Sequence, residues 1–347
     1  MKKFLAKAAA LLLLLPLLTA CPKQQGAQTL RIYNWSDYMP EAVIQEFERR
    51  EKAKVVLDTY DDPEAMISKL QAGGDSEYDL VILSDYLVGQ LAKQGIILEL
   101  DRSKIPNFKN LDPSFTNPAY DPQSRHSVVY QWGTTGLAYR EDRVKGPVDS
   151  WGVLFDPAQS VGSFLLLTEM REQVGAALRY LGASVNSTDP TVLERAKQVL
   201  LEAKRRSQGF AGGTDAVQQV LSGNVAVAVA YSGDAFRAMQ ENPRVKYVIP
   251  KEGGTLWSDV LTILSKSKNA ELAYRFINYL LEPEVAAKVS NGIGYGTPVS
   301  PALPMIEARD NPIIYPSPEV RRKLEFLGDL GPAADLYNRL WAEVRAQ

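Results

Sequence analysis

Aromatic and acidic side chains recur together along this chain, and their shared chemistry is the holding of a cation. Tyr33, Trp35 and Tyr38 fall within six residues, interleaved with Asn34, Ser36 and Asp37. Ser84, Asp85 and Tyr86 close the run YDLVILSDY, and Tyr231, Ser232 and Asp234 follow VAVAVA. Trp257 and Asp259 lie in the glycine-rich EGGTLWSD, and Tyr295 lies in GIGYGTP. Glu169 and Glu172 stand three apart at the start of an expected helix, on one face and near the positive end of its dipole. An aromatic face attracts a cation by roughly 0.5–2 kcal/mol. Paired carboxylates bind ammonium groups through charge-assisted hydrogen bonds, and flat rings also line a methylene chain. Together these residues specify a long, thin, apolar molecule carrying several positive charges.

Each element also has a purely structural use. Tyr86 or Tyr231 alone suits a core, Glu169 and Glu172 suit a helix end, and Asp259 suits a turn. Trp132, in the apolar stretch VVYQWGTTG, suits packing. Enzyme chemistry finds little material: the chain has one His, His126, and one Cys, Cys21. A zinc site or a Ser-His-Asp triad therefore has one His to draw on, with no motif around it. A carboxylate-pair glycosidase through Glu169, Glu172 or Asp259 stays open. So do ferric-ion capture by tyrosines and a sugar stacked on Trp35 and Trp257. No cofactor or metal motif is present; the Gly253-Gly254 pair lacks a phosphate-loop context.

The elements that must position these residues alternate. Leu30 onward reads as a strand, Pro40 to Lys52 as a helix and Lys54 to Tyr60 as a strand. Asp62-Pro63 opens a helix that Gly73-Gly74 stops. Tyr78 to Ser84 is a buried strand and Leu87 to Gln94 a helix. Residues 107–121 read as irregular and 127–139 as a strand. Helices are expected at Arg171 to Leu181, Pro190 to Arg206 and from Thr214. Strands follow at 225–231, 246–249 and 260–264, then helices at 269–281 and 333–345. Alternating strands and helices imply an α/β fold with a parallel sheet and right-handed crossovers.

The first 20 residues have a basic start, an apolar run from Ala8 to Leu18 and small residues before Cys21. That layout is a secretory signal, too short to span a bilayer. Leu18 to Cys21 resembles the bacterial lipoprotein cleavage box, which implies lipidation at Cys21 and places the chain in the periplasm or on the outer face of the cytoplasmic membrane. Residues 21–28 read as a polar tether. Loss of residues 1–20 takes Lys2, Lys3 and Lys7 from the 39 basic residues and none of the 41 acidic ones, so a net charge of −2 becomes −5. That balance gives no support for nucleic-acid binding. A single Cys cannot form an internal disulfide.

Seven stretches, YNWSDY, YDLVILSDY, IPNFKNLDP, VYQWGTTG, LLLTEMRE, PKEGGTLWSD and IGYGTP, occur in an order and spacing that resembles the periplasmic spermidine/putrescine-binding proteins, the receptors of polyamine ABC importers. The resemblance covers nearly the whole chain after the signal. It implies a two-lobed type II periplasmic-binding-protein fold, each lobe a mixed sheet flanked by helices, with the polyamine between the lobes. The expected lobes are 29–134 with 260–305, and 135–259 with 306–347, in a monomer that serves an ABC permease. The family's ligand positions fall on Trp35, Ser36, Tyr38, Ser84, Tyr86, Glu169, Glu172, Trp257, Asp259 and Tyr295. Tyr231 stands where the family often has Trp, and Glu169 where it commonly has Asp. Asp37 and Asp85 are further acceptors for an amine. Spermidine-type members carry a Gln late in the chain where this one offers Leu327.

Overall fold

The computed structural model describes residues 27–346; the expected signal, Cys21 and most of the tether lie outside the described residues. Its ten strands are β1 (Thr29–Trp35), β2 (Lys54–Tyr60), β3 (Leu80–Ser84), β4 (Val128–Arg140), β5 (Phe164–Leu167), β6 (Phe210–Ala211), β7 (Val227–Tyr231), β8 (Val245–Val248), β9 (Gly254–Ile263) and β10 (Leu324–Glu325).

Local signals explain most boundaries. Pro40 opens the helix Glu41–Glu51, and Lys52, at φ 51, ends it in the left-handed region. The Asp62 carboxylate accepts the backbone N–H of Ala65 at 2.8 Å and caps the helix Pro63–Gln71. These helices carry the chain between parallel neighbours: β1 pairs in parallel with both β2 and β3. The return strand β9 then runs antiparallel to β3 and β4. In the second half, β4 runs antiparallel to β7 and β8, while β5 lies parallel to β6 and β7.

β4 is the strand that joins the halves. Its residues Val128 to Thr134 pair with β9, and Thr135 to Tyr139 pair with β7. Two main cores lie on either side of that change. One packs Leu30, Ile32, Phe47, Leu261, Ile263 and Phe276, with Phe47 and Phe276 edge to face at 4.8 Å. The other packs Trp151, Phe164, Leu166, Val174, Leu200 and Tyr337. The final helix, Ala334–Ala346, belongs to the second core through Tyr337, whose hydroxyl donates to the Ser187 carbonyl at 2.8 Å. Among the described residues no helix is long and apolar enough to cross a membrane.

Two departures from the sequence reading bear on the site. β9 begins at Gly254, six residues before the expected Val260, so Trp257 and Asp259 sit in a strand and not in a glycine-rich loop. The paired neighbours β4 and β10 supply its hydrogen bonds and override a composition that suits a turn. Tyr130 and Trp132 lie within β4, in agreement with the strand expected over 127–139. The helices Ser232–Glu241 and Pro283–Ile293, and the short strands β5 and β6, were not read from the sequence.

Asp121 anchors the start of β4. Its buried carboxylate accepts the backbone N–H groups of Arg125, His126 and Ser127 and the Ser127 hydroxyl. Asp121→Ala strands these donors and should lower the unfolding free energy by about 2–4 kcal/mol in urea titration. A loss below about 0.5 kcal/mol would show that β4 is held without this anchor.

Candidate functional site

A cavity of about 490 Å³ opens between the two halves, and every one of the thirteen ligand-contact residues expected from the sequence borders it. The first half contributes residues from strand ends, where ligands meet open α/β sheets. Trp35 ends β1; Ser36, Asp37 and Tyr38 form the turn that follows, with Asp37 exposed at φ 53. Ser84 ends β3, and Asp85 and Tyr86 form the next turn. Tyr295 follows the helix Pro283–Ile293 after Gly294, whose φ of 79 turns the chain. Trp257 and Asp259 come from β9. The second half contributes Tyr231 at the end of β7, and Glu169 and Glu172 at the start of the helix Met170–Tyr180.

The rings form a connected wall. Tyr231 meets Trp257 edge to face at 5.6 Å, Trp257 meets Tyr295 at 5.2 Å, Tyr295 meets Tyr38 at 5.5 Å, and Tyr38 meets Tyr130 at 5.5 Å. Trp35 leans on Tyr60 at 4.4 Å. Two glycines let these rings in. A Cβ on Gly133 would lie 2.5 Å from the Trp257 ring, and one on Gly233 would lie 2.6 Å from the Tyr295 ring. Trp132 has the packing role: its indole N–H donates to the Thr297 carbonyl at 3.2 Å.

Carboxyl groups punctuate this wall. Asp259 accepts a hydrogen bond from the Ser84 hydroxyl at 3.3 Å. Burial pushes Asp259 up to about 6, opposed by the neighbouring Tyr38, Ser84 and Trp35 donors. Burial pushes Glu172 up to about 7 and Glu169 to about 8, and for Glu169 the nearby Glu172 and Glu64 add repulsion. Glu169 receives the Thr168 hydroxyl at 3.2 Å and makes no side-chain cap to its helix. Among the described residues Trp257 Nε1 has no hydrogen-bond partner, and Trp35 Nε1 and Tyr38 Oη, near Asp259, and Glu172 Oε2 make no close hydrogen bond either. Asp85 borders the cavity, but both its oxygens are engaged by backbone and side-chain donors behind the wall.

Further lining residues are not among the thirteen expected contacts, although the sequence groups Asp234 with Tyr231. Asp61 and Asp62 precede a helix start, Thr214 and Asp215 follow Gly212-Gly213, and Asp234 and Arg237 stand one helical turn apart. The cap signal at Asp62-Pro63 and the i,i+3 spacing of Asp234 and Arg237 were both readable. Leu327, fully enclosed, closes part of the cavity with an apolar side chain. Nine carboxyl groups border the cavity against two guanidinium groups, those of Arg171 and Arg237. Arg237 pairs with Asp234 at 2.6 Å. Arg171 is held by the Gly328 carbonyl at 3.0 Å and the Asn186 side chain at 2.9 Å, over the Tyr86 ring. Carboxyl groups thus outnumber guanidinium groups, although burial, which holds Glu172 up at about 7 and Glu169 and Asp85 at about 8, keeps part of that surplus protonated near neutral pH.

The halves are drawn together across the cleft. Lys93 and Asp329 form an ion pair at 2.9 Å, and Arg171 reaches across to Tyr86. His126 lies away from the cavity, with Nδ1 3.1 Å from the Leu98 carbonyl. Among the described residues there is no cluster of three or more side chains suited to a metal ion.

Two α/β lobes joined by crossing strands, with an enclosed polar and aromatic cleft between them, define the type II periplasmic-binding-protein fold. This is the architecture of solute receptors in ABC import, not of enzymes. The chain belongs to the bacterial extracellular solute-binding protein family, whose pattern matches residues 42–315. It is 36% identical over 321 residues to the spermidine/putrescine-binding periplasmic protein of Escherichia coli K12, covering 92% of each chain. The spermidine/putrescine ABC transporter substrate-binding protein of Streptococcus pneumoniae superposes with a TM-score of 0.79 at 32% identity, over 92% of this chain and 99% of that one. A Treponema pallidum lipoprotein superposes with a TM-score of 0.83 at 27% identity, over 92% and 100%.

The raised carboxyls make a signed prediction about pH. A group whose pKa rises on folding contributes stability that is fully present below its unfolded value and lost as pH climbs through its folded value. For Glu169 and Glu172 the ordinary value is 4.5 and the folded values are about 8 and about 7. The melting temperature of the protein without ligand, relative to that of a Glu169→Gln, Glu172→Gln variant, should therefore fall between about pH 5 and about pH 8. A difference that stays constant across that window would mean that these carboxyls are not buried as described.

Proposed function

We propose that this chain is a polyamine receptor that takes putrescine and spermidine into the cleft and hands them to an ABC permease. The observation that carries this reading is the division of the carboxyls. Glu169 and Glu172 on one lobe and Asp259 on the other are separated by a continuous aromatic wall within one cavity. A molecule with ammonium groups at both ends and methylenes between them fits each part: carboxylates take the ends, and rings take the chain by apolar contact and cation–π attraction. The contact set is Trp35, Ser36, Asp37, Tyr38, Ser84, Tyr86, Glu169, Glu172, Tyr231, Trp257, Asp259 and Tyr295. The names of the Escherichia coli and Streptococcus pneumoniae relatives support the same ligand class.

The rival ligands fit less well. Burial holds the phenols of Tyr38, Tyr231 and Tyr295 well above their ordinary pKa, which disfavours the phenolates that ferric ion needs. A neutral sugar would leave the excess carboxylates without counter-charges. The lobes close about the strand crossings on ligand; Asp259, one residue short of the expected boundary at 260, pairs with Ser84 in the first lobe's sheet. The change of β4 pairing between Thr134 and Thr135 supports a hinge there. A lipid on Cys21 holds the monomeric receptor at the outer face of the cytoplasmic membrane.

Calorimetry with putrescine, spermidine, ferric citrate and maltose tests the ligand class directly, and only the polyamines should give heat of binding. Glu172→Gln keeps the shape and removes the charge, and should weaken polyamine binding by about 2–5 kcal/mol. An unchanged dissociation constant would return Glu172 to a helix-end role.

Within the polyamines, spermidine should be favoured over putrescine by less than about 2 kcal/mol, on the order of one charged hydrogen bond. Leu327 offers no acceptor; Asp37, beside Trp35, is the acceptor proposed for the third amine, ahead of Asp85, the other lining carboxyls Asp61, Asp62 and Asp215, and water. Asp37→Asn should then lower affinity for spermidine and leave putrescine nearly untouched. Equal losses for both would assign Asp37 to a shared amine.

For the anchor, Cys21→Ser should release the protein from the membrane fraction. Unchanged fractionation would mean that the apolar leader itself stays as the anchor.

A further inference from the structure

The turn after β3 holds a carboxylate that the binding chemistry proposed above does not use. Asp85 is completely buried. Its Oδ1 accepts the backbone N–H of Tyr86 at 2.8 Å. Its Oδ2 accepts the backbone N–H of Ser258 at 3.0 Å and the Ser258 hydroxyl at 2.8 Å. The Tyr120 hydroxyl lies 3.0 Å from that same Ser258 oxygen and closes the network.

The partners give this network its significance. Tyr86 belongs to one wall of the cleft, and Ser258 sits between Trp257 and Asp259 in the other. The β3–β9 ladder ends at the Ser84–Asp259 pair, because β3 turns there into the tight helical turn Asp85–Leu87. Beyond that pair, the Asp85 side chain accepts the Ser258 N–H. The short carboxylate thus ties together two backbones that the sheet no longer pairs.

We propose that Asp85 is a positioning residue, whose carboxylate clamps the backbone of Tyr86 to that of Ser258 and so sets the spacing between the Tyr86 wall and the Trp257–Asp259 wall. The effect on ligand rests on the polyamine reading; the clamp itself does not. Asparagine cannot replace the group, since its single carbonyl oxygen cannot accept at both positions and its amide NH₂ would meet a donor. Three of the carboxylate's roughly four acceptor positions are taken, which leaves a single one, on Oδ1, for any direct contact with an amine.

The test pairs a measurement without ligand with one that uses it. Burial pushes Asp85 up to about 8 against the Ser258 and Tyr86 donors, so the comparison is made above that pH, where the group is ionised; in Asp85→Asn, amide hydrogen exchange at Ser258 or Tyr86 should then quicken by about tenfold or more, the scale of one lost hydrogen bond to a charged group. Leu261 and Ile263, further along β9, should be unchanged. Putrescine, titrated by calorimetry, should bind about tenfold more weakly. That penalty should largely vanish in an Asp259→Asn background, because placing Asp259 is what the clamp achieves, and persist in a Glu172→Gln background. If Asp85→Asn does not fold, Ser258→Ala removes one of the three bonds without changing charge and is read by the same measurements. Unchanged exchange at both amides would overturn the clamp. A penalty of equal size in both backgrounds would overturn its action through Asp259. Wild-type protein that gives no heat with putrescine would sink the polyamine reading, while the exchange measurement would still decide the clamp.

Discussion

Carboxyl groups enclosed in a cleft walled by rings are the constraint on which this molecule turns. Moving a carboxylate out of water costs several kcal/mol even after the protein relaxes. Asp259, Glu169 and Glu172 all carry that cost, and their raised affinity for protons records it. Local donors offset part of it, through Ser84 at Asp259 and Thr168 at Glu169. On the polyamine reading proposed above, the rest is offset by a cation that arrives with the ligand. Desolvation that weakens the empty site is the same desolvation that strengthens each ion pair once a cation is present.

The two-lobed fold lets one chain hold both conditions. Glu169 and Glu172 ride on the second lobe, and Asp259 on the strand that belongs to the first lobe's sheet. Separating the lobes would rehydrate the carboxyls; bringing them together encloses them. A ligand that touches both lobes stabilises the closed arrangement by its differential affinity for that state. The contacts crossing the cleft include an ion pair partly open to solvent between Lys93 and Asp329, Arg171 over Tyr86, and the Arg237 guanidinium on the Ile293 carbonyl at 3.2 Å.

Arg171 and Arg237 show that charge near the cavity is not all available to a ligand. Asp234 is answered by Arg237 within its own helix. Arg171 sits one residue before Glu172, yet its donors go to a carbonyl and an amide on the far side. Counting acids in the sequence therefore overstates the free negative charge, and only the pairing in three dimensions separates structural charges from those left for a cation.

The rings and acids of the cleft were picked out through the family resemblance; residue type and order by themselves determined the alternating α/β plan, the helix starts at Pro40 and Asp62, and the long helix Pro190–Arg206. These rest on local physics: side-chain periodicity, the fixed φ of proline and the reach of a short carboxylate, all settled within a few residues. Tertiary structure alone decided the rest. EGGTLWSD became strand because β4 and β10 pair with it from distant parts of the chain, and no local window contains those partners. Gly133 had to be glycine because a tryptophan 124 positions later fills the space its Cβ would need. Asp85 and Asp259, both acids after or within strands, look alike in sequence. Both border the cavity, but three of the acceptor positions of Asp85 are taken by Ser258 and Tyr86, while Asp259 receives the Ser84 hydroxyl, because the Ser258 backbone donor from a separate strand reaches only the first.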